Sequence, residues 1–265
     1  MSTSNKKSVR SVPRARKDRE YVAGLEKGLS IIEAFGMRYP RLTLTEAAQL
    51  TRLSRASARR CLLTLAKLGY AGFDGRYFRL APRVLRLGHA YLSASNVAKI
   101  AQPVLESISE RIHESASVAI LDGAETVFIA RSTARQSLSI GLSVGTRLPA
   151  YCSATGRVLL AALPDAGVMK LLGQAELRKL TPKTVVDAGQ LLKEVRRARA
   201  QGYAIVDEEL EIGLRSIAVP VRDSTGDVVA AMSLAVRAQR MAREQMADRL
   251  LPALEAGRRA FAAAL

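Results

Sequence analysis

The chain has 265 residues, 48% of them apolar and 25% charged, which describes a globular protein with a normal core and room for two domains. Its formal net charge is +17 with no Trp and 5% aromatic residues, a composition that argues against a single-strand binder stacking bases on rings. The charge is uneven: residues 1–80 hold 17 Lys+Arg against 6 Asp+Glu, so the first third is the part suited to a polyanion. Two distant cysteines, Cys61 and Cys152, form no metal or redox spacing, and no apolar segment resembles a secretion signal or a membrane span. These features point to a reducing, cytoplasmic setting and to no metal or cofactor.

Residues 1–20 carry seven basic side chains and are expected to be a disordered arm, either touching phosphates or simply solvated. From Tyr21 an apolar stripe of Val22, Leu25, Leu29, Ile32 and Phe35 predicts a first helix, stopping near Gly36. Thr43 or Thr45 starts a second helix, and Thr43 to Glu46 fits a capping box. After the break at Thr51 to Ser54, a third helix places Ala58, Cys61, Leu62, Leu65 and Leu68 on one side and Arg55, Ser57, Arg59 and Arg60 on the other. Ser54 can cap it. A basic, Ser-containing first turn after a tight turn is what a helix reading the major groove needs, since short donors reach base edges and arginines reach guanine or phosphate. The candidate DNA contacts are therefore Arg55, Ser57, Arg59 and Arg60, with Thr45 and Ser54 near phosphate. A solvated surface charge is the competing reading for Arg59 or Arg60. Two aromatic runs around Asp74-Gly75 predict a hairpin carrying Arg76 and Arg79, which makes residues 21–81 a winged helix-turn-helix.

Pro82 opens an apolar helix over 82–96, expected to link and dimerise protomers; packing onto its own domain is the compatible alternative. Residues 97–113 are amphipathic, with Pro103 kinking the helix or marking its start. Strands are expected at 117–121, 126–130, 137–141, 203–206, 216–221 and 228–236, and helices near 153–163, 165–172, 189–201 and the C-terminus. Without regular alternation of helix and strand, this order favours an α+β domain over 97–265, an antiparallel sheet with helices on its faces.

The segments Leu25 to Phe35, Leu42 to Gly69, Leu148 to Ala161 and Gly202 to Ser216 together resemble the IclR family of bacterial transcriptional regulators over roughly 21–263. The run Ser137 to Ala150 is most similar to the branch controlling aromatic-acid breakdown through β-ketoadipate. The resemblance implies a GAF-like effector domain behind the winged helix, and a homodimer or dimer of dimers on a pseudo-palindromic double-stranded operator. It also implies a small acid effector such as protocatechuate, 4-hydroxybenzoate or β-ketoadipate. In the turn, Arg52 stands where the family commonly has Gly, which implies strain if its φ is positive.

For the effector, Cys152-Ser153-Ala154-Thr155 begins a helix whose free N–H groups suit a carboxylate. Arg147, just before it, could pair with that carboxylate or with an acid such as Asp207 or Glu208. The resemblance implies that the loop from Gly145 to Thr155 and the segment from Asp207 to Ser216 face the ligand, with Ser233 nearby. Cys152 reads as a small buried residue rather than a nucleophile. Two other functions compete. Gly141-Leu-Ser-Val-Gly145 matches a hydrolase nucleophile elbow, but Thr146 to Pro149 is no helix start and both histidines, His89 and His113, precede Ser143. A nonspecific architectural DNA binder would explain the charge and leave the α+β domain without a role.

Overall fold

The computed structural model describes residues 20–133 and 142–264. The basic arm before Glu20 and the strand expected at Ser137 to Gly141 lie outside the described residues. The chain divides into two compact units, Met1–Leu87 and Gly88–Leu265.

In the first unit α1 (Ala23–Glu33), α2 (Leu44–Thr51) and α3 (Arg55–Lys67) precede a hairpin of β1 (Ala71–Phe73) and β2 (Phe78–Leu80). Ile31, Leu42, Ala47, Ala58, Leu62 and Phe78 are its buried centre. Each fully buried aliphatic or aromatic side chain there contributes about 1.5–3 kcal/mol. Thr43, rather than Thr45, caps α2: its hydroxyl accepts the Glu46 N–H at 3.3 Å while its own N–H donates to Glu46 Oε2 at 2.7 Å. Ser54 caps α3 by accepting the Ser57 N–H at 3.2 Å. Between the caps Arg52 has φ +55, the left-handed conformation that ends α2. Leu68 departs from the expected apolar face and is exposed. The hairpin is also looser than a two-residue Asp-Gly turn, because Phe73 pairs with Phe78 and four residues form the loop. The Asp74 carboxylate organises that loop, accepting N–H bonds from Arg76 (3.1 Å) and Tyr77 (2.8 Å).

A 3₁₀ turn at Pro82–Val84 leads into α4 (Leu85–Ala94), in which no residue is buried and Leu85, Leu87 and Tyr91 are exposed. Ser95 then caps α5 (Asn96–Ile112), so Pro103 lies within the helix instead of starting it.

The second unit is built on an antiparallel sheet in the order β5-β4-β3-β8-β7-β6. Its strands are β3 (Ser115–Asp122), β4 (Glu125–Ser132), β5 (Arg147–Pro149), β6 (Ala204–Asp207), β7 (Leu214–Arg222) and β8 (Val228–Arg237). On one face α5 and α9 (Met246–Ala262) bury Leu105, Ile108, Leu250 and Leu254 against Val118, Ile217, Val219, Met232 and Leu234. On the other, α6 (Ala154–Ala161) and α8 (Ala188–Gln201) set Ala154, Val158 and Ala198 against Val206, Ala218 and Ala231. Helix α7 (Asp165–Gln174) adds Val168 and Leu172 to an outer cluster with Leu191 and Val195 of α8. The strand β5 was not apparent from the sequence: three residues ending in Pro149 are too few to show an alternation.

Candidate functional site

The helix pair α2–α3 carries the first site. Arg55 and Arg59, four residues apart, share the outward face of α3, both exposed. Ser57 and Arg60 instead line a groove against α1, with Leu25, Leu29 and Cys61. Ser57 is half-buried, and its hydroxyl accepts from Ser54 at 3.1 Å. No acid lies in the first turn of α3, which leaves a positive helix start beside two arginines. Thr45 is exposed on the first turn of α2. On the hairpin Arg76 stands 5.1 Å from the Tyr77 ring and Arg41 stands 4.4 Å from it, while Arg79 is tied to Asp74 at 2.8 Å. The exposed cations of this unit include Arg55 and Arg59 on the outward face of the helix, Arg60 at the groove, and Arg41 and Arg76 at the wing. Arg41 was not among the expected contacts; its place became visible only when Leu42 paired with Phe78 and brought it beside the hairpin.

The second site is a hollow on the sheet face under α6. Strand register sets Arg131 of β4 beside Ser117 of β3, Ser117 beside Ser233 of β8, and Ser233 beside Ala218 of β7. A second row holds Ala235, Ser216 and Val206. Small side chains at these positions leave a space beneath the start of α6. The cavity, about 40 Å³ and partly open, is lined by Ser117, Phe128, Arg131, Leu142, Leu148, Cys152, Ser153, Ala154, Thr155, Val206, Leu210, Leu214, Ser216, Ser233 and Ala235. Arg131 reaches this face because of a β-bulge. Val118 pairs with Ala130 but Ala119 pairs with Phe128, so Ile129 is the extra residue and parity inverts beyond it. Without the bulge Arg131 would fall on the face opposite Phe128.

Arg131 is the only charged side chain among the described residues lining this cavity. Its Nη1 donates to the Ser117 hydroxyl at 3.1 Å, and its Nε is buried without a partner. Burial pulls its pKa below the usual guanidinium range, with no carboxylate opposing the shift. A half-buried cation with no carboxylate partner is poised for an anion, because its lost hydration is only partly made good by the Ser117 hydroxyl. At the start of α6, Ser153 accepts the Gly156 N–H at 3.1 Å. The amides of Ala154 and Thr155 belong to the first turn, where N–H groups lack helical acceptors. Gly156 is obligatory: a Cβ there would lie 2.2 Å from the Ala150 carbonyl oxygen, so only glycine lets α6 start this close to the preceding turn. Cys152 is buried, and its thiol is pushed up to about 12 by burial first and by nearby Glu209 second, which makes it a neutral wall residue.

Of the effector residues expected from sequence, Cys152, Ser153, Ala154, Thr155, Ser216 and Ser233 line this one cavity. Gly145, Arg147 and Asp207 do not. Gly145 sits in an exposed turn with φ +87. Arg147 is an exposed side chain forked between Glu125 (2.7 Å) and Asp122 (2.8 Å), bonds that raise its pKa. It is an ion-pair residue, though not with Asp207 or Glu208. Asp207 is held by Arg215 at 2.5 Å and Lys183 at 3.0 Å. Ser143 of the elbow-like motif lies in a turn leading into β5, its N–H bonded to Thr146 Oγ1 at 2.9 Å; Gly141 lies outside the described residues. That is a turn before a strand, not a strand-to-helix elbow. Among the described residues no helix is long and apolar enough to cross a membrane.

Comparison with known proteins places this geometry. The IclR helix-turn-helix domain matches residues 24–75, and the C-terminal domain of bacterial IclR transcriptional regulators matches residues 89–262. The chain is 46% identical over 243 residues to the Pca regulon regulatory protein of Pseudomonas putida, covering 91% of this chain and 84% of that one. The crystal structure of a transcriptional regulator from Rhodococcus sp. RHA1 is similar at TM-score 0.79 and 42% identity, over 92% of this chain and 98% of that one. An IclR homologue from Microbacterium hydrocarbonoxydans, crystallised with 4-hydroxybenzoate, is similar at TM-score 0.76 and 25% identity, over 92% and 99%.

Proposed function

The chain belongs to the IclR family of bacterial transcriptional regulators, and we propose that its DNA binding is controlled by an aromatic carboxylic acid bound at Arg131. The observation that carries this is Arg131, the one charged side chain among the described residues lining a cavity of otherwise apolar and hydroxyl side chains, with no carboxylate paired to it. A carboxylate would take Arg131 and Ser117 at one end. The α6 amides and the Ser216 and Ser233 hydroxyls offer partners for ring hydroxyls. The relatives support the ligand class, since one controls a Pca regulon and another was crystallised with 4-hydroxybenzoate. The space is small, about 40 Å³, and partly open, and the acid would bind with outward movement of the wall of Leu142, Leu148 and Leu210. That movement gives the acid a preference for one conformation over another, without which binding would shift no equilibrium.

On the DNA side, α3 enters the major groove with Arg55 and Arg59 at the bases or phosphates, and Arg76 and Arg41 meet the backbone beside the wing. The exposed apolar residues of α4 supply the protomer contact, and two copies read a pseudo-palindromic operator. Residues 21–81 form the reading domain, 82–96 the linker and 97–265 the effector domain, in the cytoplasm.

Calorimetric titration with 4-hydroxybenzoate, protocatechuate and β-ketoadipate tests the effector assignment. Arg131→Ala should weaken the acid that binds by about 10–100-fold, the worth of a charged hydrogen bond, and leave DNA retention intact. Unchanged affinity removes Arg131 from the site. For the reading helix, Arg55→Ala should cost about 1–3 kcal/mol on operator DNA and little on random DNA; equal losses on both would make it a phosphate contact.

A further inference from the structure

The wing of the first unit gathers three side chains from two distant stretches of chain. Tyr77, in the loop between β1 and β2, is half-buried, and two guanidinium groups lie over its ring. Arg41 is 4.4 Å and Arg76 5.1 Å from the ring centroid. Arg76 is the chain neighbour of Tyr77, but Arg41 comes from the stretch before α2. The main chain fixes that encounter: Leu42 and Phe78 exchange N–H···O bonds of 2.9 and 2.8 Å, which sets the two stretches side by side. The Asp74 carboxylate, accepting the Arg76 and Tyr77 N–H groups, shapes the loop that presents the ring.

The three arginines near this loop are in different states. Arg79 donates from Nη2 to Asp74 Oδ2 at 2.8 Å. Arg41 and Arg76 have no ion pair and no side-chain hydrogen bond among the described residues. Contact with a ring uses the face of a guanidinium, whereas its five N–H donors point outward in its plane. Both groups are therefore held without being occupied. Two like charges on one ring also repel, and the nearby carboxylate is engaged elsewhere. Glu46 accepts from the Thr43 N–H at 2.7 Å and from the Thr43 hydroxyl at 2.8 Å. Those two bonds lower its pKa most, and Arg41 and Arg76 lower it further, so it lies in their field without pairing with either. An outside anion with in-plane acceptors is what this pair lacks, and phosphate is that anion on DNA.

We propose that Tyr77 is a positioning residue for DNA binding, holding Arg41 and Arg76 together as one clamp on the phosphate backbone. The ring orders two long side chains before DNA arrives, so less of their freedom is lost on binding. This rests on the reading of the unit as the DNA-binding domain, and it adds to the arginines a residue that acts through them.

Affinity of the full-length protein for a labelled mixed-sequence duplex, measured by fluorescence anisotropy across a salt series, tests the clamp. Arg41→Ala combined with Arg76→Ala should lower the slope of log affinity against log salt by about 2, close to one per phosphate contact. Tyr77→Leu should weaken binding at least about fivefold with the slope unchanged, the ordering cost of two side chains. Tyr77→Phe, which keeps the ring, should bind as the wild type does. In the double arginine variant Tyr77→Leu should cost nothing more, whereas a ring needed only for the fold would still cost there and would overturn the clamp. Equal losses in Tyr77→Leu and Tyr77→Phe would make the hydroxyl a direct contact and overturn it too. So would a slope unchanged by removing the two arginines, which are exposed and carry the test if Tyr77→Leu does not fold. Wild-type DNA binding with Tyr77→Leu unaffected overturns the clamp alone; no DNA binding by the wild type would overturn the DNA-binding reading as well.

Discussion

Arg131 and Arg147 show how environment, not identity, sorts two arginines of one chain. Arg147 precedes the α6 loop in sequence and looks suited to a carboxylate, yet it is exposed and already forked between Glu125 and Asp122. Arg147→Ala should therefore leave acid affinity and DNA release unchanged and lower stability by no more than about 1 kcal/mol, as for other surface pairs. Titration and thermal unfolding check this; a loss of acid response would return Arg147 to the cavity. Arg131 was illegible for a definite reason. Strict alternation from Phe128 sends residue 131 to the opposite face, and only the bulge at Ile129 brings it back. The hydroxyl wall left a fainter trace, since small residues two apart (Ser115 and Ser117, Ser216 and Ala218, Ser233 and Ala235) mark a sheet face that does not fill its space.

At the scale of the element, the features easiest to read were those whose cause is local. The capping box at Thr43 and the Ser54 cap follow from side-chain reach within one turn, and both form as the spacing predicts. The direction of Ser57 and Arg60 was harder, because it depends on where α1 packs. Arg52 was the exception in the turn, and its φ of +55 places an ordinary side chain in a region that favours glycine. The left-handed conformation costs about 1–2 kcal/mol for such a residue, and glycine returns about 0.5–1 kcal/mol of that in chain entropy. Arg52→Gly should therefore stabilise the full chain by about 0.5–1 kcal/mol, seen as a higher midpoint in denaturant. A lower midpoint would mean that the Arg52 side chain makes a contact worth more than the strain.

For the molecule as a whole, charge sets the response to acid. Asp165, Glu46 and Glu208 are held below the usual carboxylate range, by Arg196 and Arg199, by Thr43, and by Lys183 with the Gly213 N–H respectively. Burial pushes Asp207 upward, but Arg215 and Lys183 together outweigh it and leave it lowered. Groups with depressed folded values add stability that is present above the ordinary carboxylate range and lost as pH falls through the folded value. Glu114 runs the other way: burial raises it against Arg240, so its contribution is lost as pH rises. The depressed groups are more numerous, so the denaturant midpoint should fall as pH drops below about 4. A midpoint constant down to about pH 2 would contradict these pairings.

The order of the sheet has one more consequence. Its edges are β5, three residues that end in proline, and β6, four residues flanked by the Asp207–Arg215–Lys183 cluster. An edge this short, carrying proline or charge, offers a stranger's backbone almost no ladder to extend. A second copy of the chain therefore finds at these two strands little room to extend the sheet. At those two strands, contact with another chain falls to side-chain surfaces, which can discriminate between partners.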